Sequence, residues 1–250
     1  MTLVLDVLAA SPFGMKLNEL STQTRLSKTT LHRLMIGMAE LGWVDVNEED
    51  GSYLLGFRPL SLALAATDRY NLAQLAAPWL RQLAEATGDT VYLSLRSGDE
   101  SLCVARYEGD FPVKTLTLSV GARRPLGVGA GSLALLAYLD DSAVTRLLER
   151  THGARERYGI RDDTLWTLVQ ESRERGYTLN DGMLVSGMSG MGAPVRTSSG
   201  YPVAAVSVAA ISSRLTGDRQ KDVAAKLVQC AKAIESELQA AVNLMERTAQ

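Results

Sequence analysis

The stretch from Leu17 to Leu41, LNELSTQTRLSKTTLHRLMIGMAEL, restricts the fold more than any other, because it reads as two short helices around a tight turn. Ser27 stands where its hydroxyl can cap the free N–H groups of the second helix. At about 100° per residue, Leu31, Leu34, Met35, Met38 and Leu41 gather on one side of that helix. Thr29, His32 and Arg33 gather on the other, flanked by Lys28 and Thr30. The outer face thus offers a guanidinium, an ammonium, an imidazole and two hydroxyls, and no carboxylate. Such groups bond phosphates and purine edges in a DNA groove. The same pattern also fits the solvated face of an ordinary helical domain.

The next residues narrow the choice. Gly42 ends the helix, Trp43-Val44-Asp45-Val46 alternates apolar and polar, Asn47 to Gly51 supplies turn residues, and Ser52 to Gly56 can return as a second strand. Two helices followed by a hairpin make a winged helix-turn-helix, with the basic helix as its recognition element. Here the chain resembles the IclR family of bacterial transcription regulators. The likeness rests on Leu26-Ser27-Lys28-Thr29-Thr30-Leu31-His32-Arg33-Leu34, on Leu41-Gly42-Trp43-Val44, and on Tyr53 with Leu55-Gly56. It implies an α+β protein with a winged helix-turn-helix over residues 1–57, a linker helix over 58–76 and a GAF-like effector domain over 77–250. The DNA-binding candidates are Ser27, Lys28, Thr29, Thr30, His32 and Arg33. Thr29, His32 and Arg33 are expected to face bases, with Lys28 and Thr30 near phosphates. Ile36 falls on the same exposed side.

With 250 residues the chain has room for two domains, each with its own core. A net charge of −2 exerts no general pull toward nucleic acid or an anionic membrane. The first 57 residues even hold four basic against seven acidic side chains. Their distribution outweighs the sum: Leu20 to Ala39 contains no acid, and the acids gather from Asp45 to Asp50 on the expected wing. Each module should therefore bind DNA modestly, and a homodimer on a near-palindromic operator should supply the rest, with pairing of dimers left open. Cys103 and Cys230 lie far apart in apolar surroundings, as expected of buried, reduced thiols. The opening Met-Thr-Leu-Val-Leu-Asp, with an acid inside the first apolar run, does not read as a secretory signal, and no run approaches the roughly 20 apolar residues of a membrane span. The expected location is the cytoplasm, with no membrane partner.

Thr2 to Ala10 reads as a helix and Ser11 to Gly14 as a turn. Residues 58–87 read as mostly helical, with Pro78 opening a new segment or sitting in a first turn, and Gly88 as the stop. From Thr90 the period changes to two. Val91 to Arg96 and Ser101 to Tyr107 make a hairpin, and Val113 to Val120 reads as a third strand. Helices are expected over 129–139, 141–150 and 162–175, then a Gly- and Met-rich loop over 181–192. Strands over 193–196 and 203–210 and a helix over 217–244 complete the chain. This mixed order suits one largely antiparallel sheet flanked by helices. The family likeness continues through Leu102 to Arg106, Arg175-Gly176-Tyr177, Ala193-Pro194-Val195 and Pro202 to Val208.

Gly127-Val128-Gly129-Ala130-Gly131-Ser132 imitates a dinucleotide fingerprint, but Gly121 to Leu126 before it reads as a turn rather than a buried strand. There is no Walker loop. His152, in an expected surface turn, is the sole histidine free for a triad or a metal site. No catalytic residue, metal or cofactor is expected. The glycine stretch instead opens a helix, whose free N–H groups could cradle a carboxylate without a cationic side chain; close helix-to-sheet packing would use the same glycines.

The family likeness implies a small organic acid effector held there. By position it assigns effector contacts to Ala130, Gly131, Asn180, Gly190, Ser207 and Ala209; Gly129 at the helix start and Ser189 in the loop complete the candidates. Asn180 stands where many relatives carry Asp, Gly190 where a cysteine is frequent, and Ala209 where a serine is usual. These departures, with Met183, Met188 and Met191 as adaptable lining, imply a roomier, less polar pocket for an aromatic or branched carboxylate. The alternative reading is a small-molecule-binding module or enzyme whose N-terminal helices only mediate assembly.

Overall fold

The computed structural model describes residues 2–9, 11, 13–59, 61–62 and 72–248, with side chains to residue 242. The chain forms two compact units, Met1–Asn71 and Leu72–Gln250. Much of the expected 58–76 linker, residues 63–71, lies outside the described residues, as do Ala10 and Pro12 of the expected first helix and turn.

In the first unit, α1 (Thr2–Ala9), α2 (Leu17–Thr24) and α3 (Lys28–Glu40) precede a hairpin of β1 (Val44–Val46) and β2 (Tyr53–Leu55). Leu31, Met35 and Met38 follow the helical period and close on Val4, Leu8, Met15, Leu20 and Val44. The hairpin is antiparallel, pairing Val44 with Leu55 and Val46 with Tyr53, and Met15 bridges to Tyr53. Leu41 departs from expectation, being 60% exposed. The helix stops at Glu40 and Leu41 leaves the helical path, so its angular position no longer points inward.

The second unit begins with α4 (Leu72–Thr87) and continues through β3 (Thr90–Ser97), β4 (Glu100–Glu108), β5 (Arg123–Pro125), α5 (Ala130–Ala137), α6 (Asp141–Glu156) and α7 (Asp162–Arg175). β6 (Thr178–Asp181), β7 (Met188–Arg196), β8 (Pro202–Ile211), a 3-10 turn at Ser212–Arg214 and α8 (Gly217–Thr248) follow. The six strands form one sheet in the order β5-β4-β3-β8-β7-β6, and each neighbouring pair is antiparallel. Alternation separates the two faces. Val91, Leu93, Met191, Ala193, Val206 and Val208 pack with Leu80, Leu83, Val223, Leu227 and Ile234 of α4 and α8. Ala205 packs instead with α5, α6 and α7 through Leu133, Leu136, Leu147, Leu165 and Val169. Helix α5 is buried at every position, which explains its apolar composition on all sides.

Several local expectations change. Residues 113–120 form no strand and run as an irregular segment. The third strand of this part of the sheet is β5, within the stretch read as a turn, because Arg123 and Arg124 pair with Leu102 and Ser101. β5 remains a three-residue antiparallel edge, unlike the parallel strand a dinucleotide fold requires. The expected loop over 181–192 is shorter, since β6 ends at Asp181 and β7 starts at Met188. Their pairing places Asn180 opposite Gly190. Pro78 lies inside α4 instead of opening a segment. Burial of Ala76, Leu80, Leu83 and Ala84 on one stripe holds that helix together despite the proline. Helix α6 runs past residue 150 to Glu156, which puts His152 on a helix rather than in a turn.

Candidate functional site

The first unit presents the outer face of α3. Ser27 Oγ accepts from the Thr30 N–H at 3.2 Å and shares a 2.8 Å hydrogen bond with Thr30 Oγ1. This cap commits both hydroxyls to the helix start. Ser27, Lys28, Thr29, Thr30, His32 and Arg33 are all exposed. Among the described residues no carboxylate forms an ion pair with Lys28, His32, Arg33 or the neighbouring Arg25. The wing's Asp50 is turned back on its own hairpin, accepting from Ser52 N at 3.0 Å and Ser52 Oγ at 2.7 Å. Those bonds hold its carboxyl below the usual carboxylate range. α3 therefore carries a cationic, hydroxyl-rich surface whose charges are free for an outside anion.

The second unit contains an open cleft between the start of α5, the sheet and two loops. All eight residues expected there line it: Gly129, Ala130, Gly131, Asn180, Ser189, Gly190, Ser207 and Ala209. They converge from α5, β6, β7 and β8, because antiparallel pairing sets Gly190 between Asn180 and Ala209. Ser207 and Ala209 occupy alternate positions on the face of β8 opposite Val206 and Val208.

The cleft differs in character from the expected one. A Cβ on Gly190 would lie 3.2 Å from the Ala130 Cβ, so this glycine serves close helix-to-sheet packing and adds no room. Ser189 is committed elsewhere, bonding the Asp181 carboxylate and sharing a 2.7 Å bond with Ser212 Oγ. Of the three methionines only Met188 reaches the cleft. Met191 is fully buried on the opposite face of the sheet, and Met183 packs near Leu184 in the second core.

Nor is the cleft poor in polar groups. Tyr92, Ser94, Ser101, Thr115, Thr117 and Arg124 also line it, and the sequence reading missed them. Tyr92 and Ser94 could have been found from the alternation of β3, which sets polar residues on one face of an otherwise buried strand. Tyr92 Oη donates to the Thr115 carbonyl at 2.5 Å, and burial pushes the phenol pKa up. Arg124 donates to the Thr117 carbonyl. Its presence corrects the picture of an anion cradle built without a cationic side chain. Burial pushes its guanidinium below the ordinary value.

Chemistry at His152 is limited to the surface. Its Nδ1 is 3.1 Å from Asp162 Oδ2 and its Nε2 is 3.4 Å from Glu156 Oε1. Among the described residues no group of three His, Cys, Asp or Glu side chains could hold a metal ion. No helix among them is long and apolar enough to cross a membrane.

A winged helix-turn-helix unit joined in one chain to an α+β unit with a polar cleft defines a DNA-binding transcriptional regulator that responds to an effector. A family model for the IclR helix-turn-helix domain matches residues 2–48, and one for the bacterial transcriptional regulator IclR C-terminal region matches residues 64–236. The chain belongs to the IclR family. It is 28% identical to the HTH-type transcriptional regulator KipR of Bacillus subtilis over 212 residues, 82% of each chain. It is 27% identical to the transcriptional repressor IclR of Escherichia coli over 242 residues, covering 92% of this chain and 85% of that one. Among solved structures it is similar to an IclR homolog from Microbacterium hydrocarbonoxydans complexed with 4-hydroxybenzoate. That match has a TM-score of 0.75 at 23% identity, over 96% of this chain and all of the other. The relatives are regulators and not enzymes, which sets aside the reading of an enzyme with assembly helices.

Proposed function

We propose that this protein, acting in the cytoplasm, binds a near-palindromic operator as a homodimer and is switched by a small organic acid in the α5 cleft. The observation that carries this reading is the face of α3, where Lys28, Thr29, His32 and Arg33 are exposed and no described carboxylate pairs with the charged ones. Thr29, His32 and Arg33 meet base edges, while Lys28 and the Ser27–Thr30 cap approach the phosphates. Two such helices in a dimer would enter successive major grooves about 34 Å apart.

The eight residues Gly129, Ala130, Gly131, Asn180, Ser189, Gly190, Ser207 and Ala209 frame the effector, with the Ser189 hydroxyl bracing the β6–β7 hairpin. Leu118, Val128, Leu184, Val185 and Met188 give the cleft apolar walls, which favours an aromatic or branched carboxylate over a two- or three-carbon acid. A protein of the same fold complexed with 4-hydroxybenzoate is in keeping with that choice. The acid must bind the operator-competent and incompetent states unequally, since equal affinity shifts nothing.

An electrophoretic shift with DNA from upstream of the gene, repeated with benzoate, isobutyrate and glyoxylate, tests the reading. A retarded complex whose affinity responds to the larger acids is expected. No complex with that DNA refutes operator binding, and a response to glyoxylate alone refutes the larger effector.

A further inference from the structure

We propose that Arg124 sets the charge of the effector, which carries one carboxylate held between this guanidinium and the first N–H groups of α5. The inference rests on the cleft being the effector site and adds the charge it selects. Arg124 is the one charged side chain among the described residues that line the cleft. Arg123 on the same strand and Arg106 on the adjacent β4 are neutralised: Arg123 lies 3.4 Å from Glu100 and Arg106 lies 3.1 Å from Glu108. Among the described residues Arg124 has no such partner, and its one hydrogen bond goes to the Thr117 carbonyl. A partly buried cation without a counter-charge is unfavourable.

The surroundings deepen the imbalance. Nη1 of Arg124 packs on the start of α5, 3.1 Å from where a Gly129 Cβ would stand. That helix end carries the positive pole of its dipole and unpaired N–H groups. Two positive features therefore converge on one point without a negative charge between them. Gly129 makes the approach possible, since it has no side chain and its φ of +91° is one that L residues rarely adopt. Thr115, another lining residue and only 2% exposed, has an Oγ1 without a hydrogen-bond partner among the described residues.

Asn180, across the cleft, is neutral and contributes no carboxylate that would pair with Arg124. One anionic group satisfies the guanidinium and the helix start together. A second negative charge would find no second cation among the described lining residues.

Calorimetry on the full chain tests the assignment with acid and amide pairs, benzoate with benzamide and isobutyrate with isobutyramide, and with phthalate as a dianion. Wild-type protein is expected to bind one of the monoacids at least tenfold more tightly than its amide and than phthalate. Arg124→Gln should remove the preference for acid over amide, and Arg124→Lys should retain part of it. Because an uncompensated charge disappears, Arg124→Gln without added acid should melt at or above the wild-type temperature. A variant that melts lower yet keeps the full preference makes Arg124 a strut for Thr117 and overturns the assignment. Amides bound as well as acids by wild type overturn it too, while leaving the cleft as the effector site. Failure of every probe to bind removes the organic-acid reading, and this assignment with it.

Discussion

Tyr92 Oη donates to the Thr115 carbonyl at 2.5 Å, tying the central strand β3 to the irregular segment that borders the cleft. Tyr92→Phe leaves that buried carbonyl short of a donor, so the variant should lose about 1–2 kcal/mol of stability. Urea denaturation measures the loss. Effector affinity should fall with it, because Thr115, Thr117 and Leu118 belong to the released segment; an unchanged urea midpoint would deny the tether any role.

On α3, the two proposed kinds of DNA contact separate experimentally. Arg33→Ala should cost roughly 1–3 kcal/mol of operator binding and flatten preference at the base it reads. Lys28→Ala should weaken all sequences alike and lower the salt dependence by about one counterion. Titrations of operator and scrambled duplex at several salt concentrations distinguish them. Equal effects of Arg33→Ala on both duplexes would show that this side chain faces the backbone.

Asp89, just after α4, joins it to the 3-10 turn and to α8. Its carboxylate, 1% exposed, accepts from Arg214 Nε at 2.8 Å and Arg219 Nη2 at 2.7 Å. Asp89→Ala leaves two guanidinium groups facing each other and should destabilise the protein by about 3 kcal/mol, the low end for a broken buried pair because both arginines are partly exposed. Thermal unfolding provides the check, and a shift under a degree would place the binding energy elsewhere.

Both thiols are buried, and burial pushes their pKa values up, that of Cys230 to about 12. Native protein at pH 8 should therefore react with Ellman's reagent far more slowly than unfolded protein. The linkage sign follows from the same shift. The folded state disfavours the thiolate, so this contribution to stability is complete below the free thiol value of about 8.5. It declines as pH rises from there toward 12. Fast labelling of the native chain, or rising stability over that range, would contradict the burial.

The DNA-facing half was legible because helix period, cap and turn chemistry are local: Ser27, Leu31, Met35 and Met38 carry their own geometry. The cleft was legible only where an element announced itself, as at the glycines opening α5, or where family likeness supplied positions. Arg124 escaped because β5 is three residues long and exists through pairing with β4, which no local pattern encodes. β6, four residues long, was hidden for the same reason, and with it the register that sets Asn180 opposite Gly190. Leu41 and His152 show the converse: a local periodicity cannot say where a helix stops.

The start of α5 lies directly on the sheet, for a Cβ on Gly192 would fall 2.4 Å from the Ala130 carbonyl oxygen. That floor cannot recede or rise without lifting the helix from its bed. Any change in the size of effector accepted would therefore fall to lining residues outside this contact, such as Leu118 and Val185. In this architecture the start of α5 is inherited with the fold, and the rest of the cleft is negotiable.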